Sequence, residues 1–131
     1  MMSALHEFDR LVGIRVLVVE DHDDSRDLLE QVLHHAGAQV VAARSADEAL
    51  PSLGEVDVVV TDIAMPGHDG FWLLHEVRRR RQPMPVIAVS GYSDLQEQAL
   101  REAAFARVLR KPIDPWVLCR EVAAVVRSRE V

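Results

Sequence analysis

The sequence contains little of what a disulfide-bonded, membrane-spanning or nucleic-acid-binding protein needs. Its single cysteine, Cys119, excludes an internal disulfide framework and is typical of a reducing compartment. No apolar run is long enough to cross a bilayer, and the N-terminal stretch MMSALHEFDRLVG lacks the basic start and apolar core of a secretion signal. A formal net charge of −6 argues against nonspecific binding to nucleic acid. We therefore expect a cytoplasmic protein with neither a membrane nor a nucleic-acid partner.

What the sequence does contain is a series of short apolar runs rich in β-branched residues. Continuous runs of this kind are typical of strands that are buried on both faces of a sheet. They cover residues 14–19, 38–43, 56–61, 85–90 and 106–110. Segments with helical spacing of apolar residues follow each run. They cover residues 24–36, a short stretch after Ser45, and residues 70–80, 93–104 and 114–128.

Several residues indicate where these helices begin or break. Ser45 predicts an N-cap, and Pro51 is expected to shorten or kink the helix that Ser45 begins. Asp23 is interpreted as the cap of the first helix. Asp114 is interpreted as the cap of the last helix, with Pro115 at its first position.

A strand followed by a helix, repeated along the whole chain, predicts a parallel sheet with helices on both faces. The length favours an α/β fold, the flavodoxin-like (βα)5 doubly wound sandwich, with a five-stranded parallel sheet in the order 2-1-3-4-5. A chain of 131 residues suits one domain. We predict an N-terminal extension over residues 1–12 and the folded domain over residues 13–131.

Polar residues occur where the predicted strands end. They are Glu20 and Asp21 after the first run, Asp62 after the third, Ser90 after the fourth and Lys111 after the fifth. In this fold the carboxyl ends of the strands form the ligand-binding edge, so these side chains are expected to converge. Three close carboxylates favour a bound cation, and Mg²⁺ prefers oxygen ligands. With a lysine and a hydroxyl beside them, they predict a site where a carboxylate accepts a phosphoryl group.

The ordered set VVEDHDD, DIAMPGHDG, VSGYS and LRKP, each at a strand end, resembles the response-regulator receiver domains of two-component signalling. The resemblance extends over roughly residues 13 to 128. It implies that Asp62 is the phosphoacceptor and that Ser90 and Lys111 contact the phosphoryl group. The implied ligands of Mg²⁺ are Glu20, Asp21, Asp62 and the backbone carbonyl of Ala64.

The resemblance also implies partners. A histidine kinase, a histidine phosphotransfer protein, or both, would phosphorylate Asp62, and a downstream protein would bind the face formed by the fourth helix, fifth strand and last helix. A homodimer is a further option. The domain would be no enzyme beyond Mg²⁺-dependent self-phosphorylation and dephosphorylation at Asp62. Because the chain ends soon after the last predicted helix, we expect no output domain.

Some positions differ from the family pattern. Val108 stands three residues before Lys111, where many receivers carry an aromatic residue, and Tyr92, near Ser90, is an aromatic in the same neighbourhood.

The bond from Lys111 to Pro112, by contrast, resembles a peptide that is often cis in the family.

Other readings are a pseudo-receiver that binds partners without phosphorylation, a phosphatase and a nucleotide binder. A haloacid-dehalogenase-like phosphatase would need a second acid at the position of Ala64. A flavin or nucleotide binder would need a phosphate-cradling loop after the first strand, where this chain has the acidic EDHDDS.

Overall fold

The computed structural model describes residues 10–91 and 94–130. The strands are β1 (Arg15–Val19), β2 (Gln39–Ala43), β3 (Val58–Asp62), β4 (Val86–Ser90) and β5 (Arg107–Arg110). The α-helices are α1 (Asp23–His35), α2 (Ala46–Ala49), α3 (Gly70–Arg79), α4 (Asp94–Glu102) and α5 (Pro115–Glu130), and a 3₁₀ helix covers Leu50–Glu55. Each strand pairs in parallel with its neighbour in the order β2-β1-β3-β4-β5, which confirms the predicted flavodoxin-like fold.

The sheet lies between two layers of helices, and β3 is buried along its whole length. On one face, α1 and α5 pack against alternate strand residues through side chains such as Leu33 and Leu118. On the other face, α2 and α3 do the same through Ala49 and Leu73. This two-sided burial explains why the strands appear in the sequence as continuous apolar runs. The core also includes Leu11, and the predicted boundary after residue 12 stays a prediction.

The local signals for the helices are mostly confirmed. The Ser45 side chain accepts a hydrogen bond from the backbone N–H of Glu48, and α2 gives way to the 3₁₀ helix just before Pro51. Asp114 accepts a hydrogen bond from the N–H of Trp116 at the start of α5. None of the helices in the described ranges is both long and apolar enough to cross a membrane.

The prediction for Asp23 is wrong. Asp23 is the first residue of α1, and the preceding His22 occupies the cap position without a side-chain hydrogen bond. The Asp23 carboxylate accepts a 2.5 Å hydrogen bond from Arg26 instead. A buried guanidinium requires a partner more strongly than an exposed helix end, which water can satisfy. The Asp23 carboxylate therefore binds Arg26 instead of capping the backbone N–H groups at the start of α1.

A run of arginines closes α3 around a single carboxylate. Glu76 accepts hydrogen bonds from Arg79 at 2.9 and 3.0 Å and from Arg80 at 3.5 Å. The hydrogen bond from Arg79 lowers the pKa of Glu76 to about 2. Two arginines of the run RRRR thus pair with a carboxylate of their own helix. They lie at its C-terminal end, where the helix dipole also favours cations.

Glu76 is expected to contribute to the acid sensitivity of the fold. Because its pKa is lower in the folded chain than in the unfolded chain, its stabilising contribution is present above the unfolded value of about 4.5 and is lost as the pH falls towards 2. Glu76→Gln should therefore make the free energy of unfolding depend less on pH in that window, as measured by urea unfolding at a series of pH values. Glu55→Gln, which removes an exposed carboxylate, is the control. Equal pH dependence in Glu76→Gln and the parent would contradict this assignment.

Candidate functional site

Three carboxylates meet at the carboxyl edge of the sheet. Glu20 and Asp21 directly follow β1, and Asp62 is the last residue of the adjacent β3. Each offers an oxygen, and these oxygens all lie within 4.8 Å of one another. Among the described residues, these three form the group of acidic side chains that could hold a metal ion. Like charges at such distances repel unless a cation lies between or beside them. The predicted convergence of these side chains is therefore present in the fold.

Lys111 supplies a positive charge to this cluster. Its Nζ lies 3.1 Å from Oδ2 of Asp62 and 3.5 Å from Oε1 of Glu20. Partial burial lowers the pKa of Lys111, but the hydrogen bond and charge of Asp62, with the charge of Glu20, outweigh burial and raise it. The ammonium is therefore held protonated beside both carboxylates. The Lys111–Pro112 peptide is cis, as the resemblance implies.

Glu20 is the most buried of the three acids, with 1% of its surface exposed. Burial raises its pKa, and the charge of Asp62 adds to this effect. The backbone N–H of His22, 3.1 Å from Oε2, and the ammonium of Lys111 oppose it. Glu20 thus carries a desolvated carboxylate whose charge depends on nearby donors and cations.

Asp62 faces a shallow depression at the edge of the sheet. One oxygen, Oδ1, accepts a 2.9 Å hydrogen bond from the N–H of Ile63, while Oδ2 faces Lys111. The depression has a volume of about 450 Å³. Its lining consists of Asp21, His22, Ser25, Asp62, Ala64, Gly91 and Lys111. The rigid strand fixes the carboxylate, and the open side leaves space for a small anionic group.

Ser90 and Ala64 lie at the same edge. Ser90 ends β4, its carbonyl accepts the N–H of Lys111 at 2.9 Å, and its hydroxyl donates to the carbonyl of Gly91 at 2.8 Å. The hydroxyl is therefore engaged with a residue of the depression rather than with Asp62. Ala64 is exposed and contributes to the wall of the depression.

The loop between β3 and α3 is held by contacts that the sequence analysis missed. Asp69 caps α3 by accepting the N–H of Trp72 at 2.9 Å, a signal readable from an aspartate just before a helix. The ring of His68 stacks on Trp72, with centroids 3.7 Å apart, and its Nδ1 lies 3.1 Å from Asp47. Met65, in the same loop, packs into the core, as its apolar side chain predicts. These contacts fix the loop that follows Asp62.

The donor set fits a hard divalent cation. Glu20, Asp21 and Asp62 offer carboxylate oxygens, the ligands that Mg²⁺ accepts, and no soft sulfur or imidazole ligand belongs to the cluster. Mg²⁺ needs only one or two carboxylates because it keeps several waters. The described residues therefore provide a suitable magnesium site.

Three residues before Lys111, where many receivers carry an aromatic residue, this chain has the aliphatic Val108. Val108 is half-buried against Ile63, Ala88 and Leu100, in a cluster that includes Phe105. The ring of Phe105 lies edge-on to Phe71 with a centroid distance of 5.7 Å. Tyr92 lies outside the described residues.

A doubly wound sheet with an aspartate at the tip of β3, an acidic pair after β1 and a lysine after β5 defines a receiver-like α/β domain. The family model described as response regulator receiver domain matches residues 16–123. The chain belongs to this family.

Known proteins agree with this assignment. The chain is 39% identical over 117 residues to an uncharacterised 14.6 kDa protein of Leptolyngbya boryana, with 86% of this chain and 89% of that protein covered. It is 34% identical over 123 residues to the Regulator of RpoS of Escherichia coli K12, with 92% of this chain and 34% of that protein covered. The chain thus spans most of the first relative and about a third of the second.

Solved structures show the same fold. The crystal structure of a response regulator receiver domain protein from Clostridium thermocellum has a TM-score of 0.80 and 29% identity, and covers 89% of this chain and 97% of that chain. A CheY-like receiver domain protein from Methanospirillum hungatei JF-1 has a TM-score of 0.81 and 27% identity, and covers 92% of this chain and 97% of that chain.

Proposed function

We propose that Asp62 accepts a phosphoryl group in a Mg²⁺-dependent reaction and that the domain works as a phosphorylation switch. The observation that carries this proposal is the contact of Lys111 Nζ with Asp62, 3.1 Å, inside a cluster of three carboxylates that suits Mg²⁺. A carboxylate is a recognised nucleophile in phosphoryl transfer. Glu20, Asp21, Asp62 and the carbonyl of Ala64 are the proposed metal ligands.

In the proposed reaction an oxygen of Asp62 forms a bond to phosphorus as the phosphorus–nitrogen bond of a phosphohistidine breaks. The nitrogen keeps the electron pair and takes a proton from solvent. Lys111 offsets the negative charge on the transferring group, and the hydroxyl of Ser90 turns from Gly91 to donate to a phosphoryl oxygen. A bound Mg²⁺ would supply further charge neutralisation there. Water later attacks phosphorus, releases inorganic phosphate and restores the Asp62 carboxylate.

The proposed partners follow from the family, whose members interact with histidine kinases and downstream proteins. A histidine kinase, a histidine phosphotransfer protein, or both, would donate the phosphoryl group in the cytoplasm. The face formed by α4, β5 and α5 is the proposed downstream surface. Ion pairs link its elements, between Arg110 and Glu97 and between Arg107 and Glu121. A small shift in these ion pairs would change the shape of this surface. Phosphorylation could then shift the population between two conformations of the surface.

The test is the intact mass of the protein after brief incubation with acetyl phosphate. The parent should gain one phosphoryl group with Mg²⁺ present and none with the metal chelated, and Asp62→Asn should gain none in either condition. Asp57→Asn, which removes a carboxylate at the opposite end of β3, is the matched control and should be modified like the parent.

A pseudo-receiver is the alternative function. It would bind partners without phosphorylation, so the parent would show no added mass even at sampling times short enough to precede hydrolysis. Modification of Asp62→Asn at the parent's rate would place the acceptor elsewhere. Either result would overturn the proposal for Asp62.

A further inference from the structure

Arg26 is a buried cation next to the acidic cluster. It lies in α1, is 8% exposed, and its guanidinium has two different partners. Nη1 donates to the backbone carbonyl of Glu20 at 3.1 Å, and Nη2 donates to the carboxylate of Asp23 at 2.5 Å. Burial of a guanidinium is unfavourable unless its donors are satisfied, so this pairing is a specific feature of the fold.

The carbonyl that Arg26 holds belongs to a key residue of the site. Glu20 lies just beyond the end of β1, where sheet pairing stops. Its N–H still donates to the carbonyl of Ala43 at 3.1 Å, and its carboxylate accepts the N–H of His22. The remaining polar group of Glu20 is its backbone carbonyl, which accepts the hydrogen bond from Arg26. The guanidinium thus connects the first turns of α1 to the backbone from which the carboxylates of Glu20 and Asp21 project.

We infer that Arg26 is a positioning residue of the metal centre, which holds the backbone between Glu20 and Asp21 so that both carboxylates face Asp62. This inference rests on the proposed function, since it requires that the cluster bind a divalent cation. Partners that orient metal ligands commonly change metal affinity by 10- to 100-fold when they are removed.

Charge and positioning predict opposite results when Arg26 is replaced. Removing a cation that lies 3.1 Å from the carbonyl of Glu20 makes the surroundings of the site more negative, so a purely electrostatic role predicts tighter Mg²⁺ binding. Loss of the hold on the Glu20 carbonyl lets the backbone move and predicts weaker binding. The direction of the change in affinity therefore separates the two roles.

The experiment is a calorimetric titration of the full chain with Mg²⁺, combined with urea unfolding in the absence of metal. Arg26→Met, which keeps an unbranched apolar stem and removes the donors, should bind Mg²⁺ about tenfold more weakly than the parent. Arg26→Lys keeps the charge but lacks the planar fork that reaches two acceptors, so it should bind with intermediate affinity.

The matched control is Arg79→Met. Arg79 also pairs with a carboxylate three residues earlier in its own helix, that of Glu76, but in α3 and away from the cluster. This variant should lose stability and bind Mg²⁺ like the parent. A merely structural Arg26 would give the same pattern, lower stability with unchanged affinity.

Unchanged or tighter Mg²⁺ binding by Arg26→Met would overturn the inference while leaving the proposed function in place. If Arg26→Met does not fold, Arg26→Lys decides, because parent-like affinity in that variant would also overturn it. Failure of the parent to bind Mg²⁺ would instead overturn the proposed function, and the inference with it.

Discussion

Lys111→Met is expected to slow phosphorylation of Asp62 by about 100-fold, the lower end of the range for removing one donor to developing anionic charge. The same variant should bind Mg²⁺ as tightly as the parent or more tightly. The reason is that Lys111 Nζ lies within 3.5 Å of both Glu20 and Asp62 and competes with a metal for the same carboxylates. Removing the ammonium should therefore strengthen Mg²⁺ binding and slow phosphorylation, because no cation then offsets the charge on the transferring phosphoryl group.

These two effects are measured separately, by intact mass against time with acetyl phosphate and by calorimetric titration with Mg²⁺. Arg107→Met is the control, since it removes the same charge at the start of β5, the end opposite Lys111. It should leave both quantities unchanged. A parallel fall of rate and Mg²⁺ affinity in Lys111→Met would mean that Lys111 only maintains the shape of the site.

The fold could be predicted because strands buried on both faces of a sheet appear in the sequence as continuous apolar runs. A central parallel strand such as β3 is buried at every position, which favours an unbroken apolar run such as Val58 to Val60. The intervening helices show a 3.6-residue period instead. The alternation of the two patterns leaves few topologies. The site followed from the fold, since residues at the ends of β1, β3 and β5 must share one edge of the sheet.

What could not be predicted depends on contacts between distant segments. Asp23 has the features of a helix cap, but Arg26 is buried by the tertiary fold and takes its carboxylate. The contact of His68 with Asp47 joins the loop after β3 to α2, 21 residues earlier in the chain, and no local pattern marks either partner.

Gly70→Ala is expected to destabilise the fold by about 3 kcal/mol, the upper end of the range for overpacking. Gly70 begins α3 directly against the end of β3, and its N–H donates to the carbonyl of Ile63 at 2.9 Å. A Cβ at this position would lie 2.6 Å from the backbone oxygen of Asp62 and 3.0 Å from Cα of Ile63. Backbone atoms cannot rotate away as a side chain can, so either the helix or the end of β3 must move. The phosphorylation rate should fall as well, because Asp62 is part of that strand end.

The free energy of unfolding from urea titration checks this expectation, with Gly54→Ala as the control. Gly54 lies in the 3₁₀ helix with nothing within 4 Å of an added Cβ, so its replacement should change stability by no more than about 0.5 kcal/mol. Adding Ile63→Val to Gly70→Ala would remove Cδ1, which lies 2.9 Å from the added Cβ, but leaves the clash with the Asp62 carbonyl. Rescue should therefore be partial at most. Full rescue would show that the side chain of Ile63 alone requires glycine here, and that the approach of α3 to the backbone of Asp62 imposes no constraint of its own.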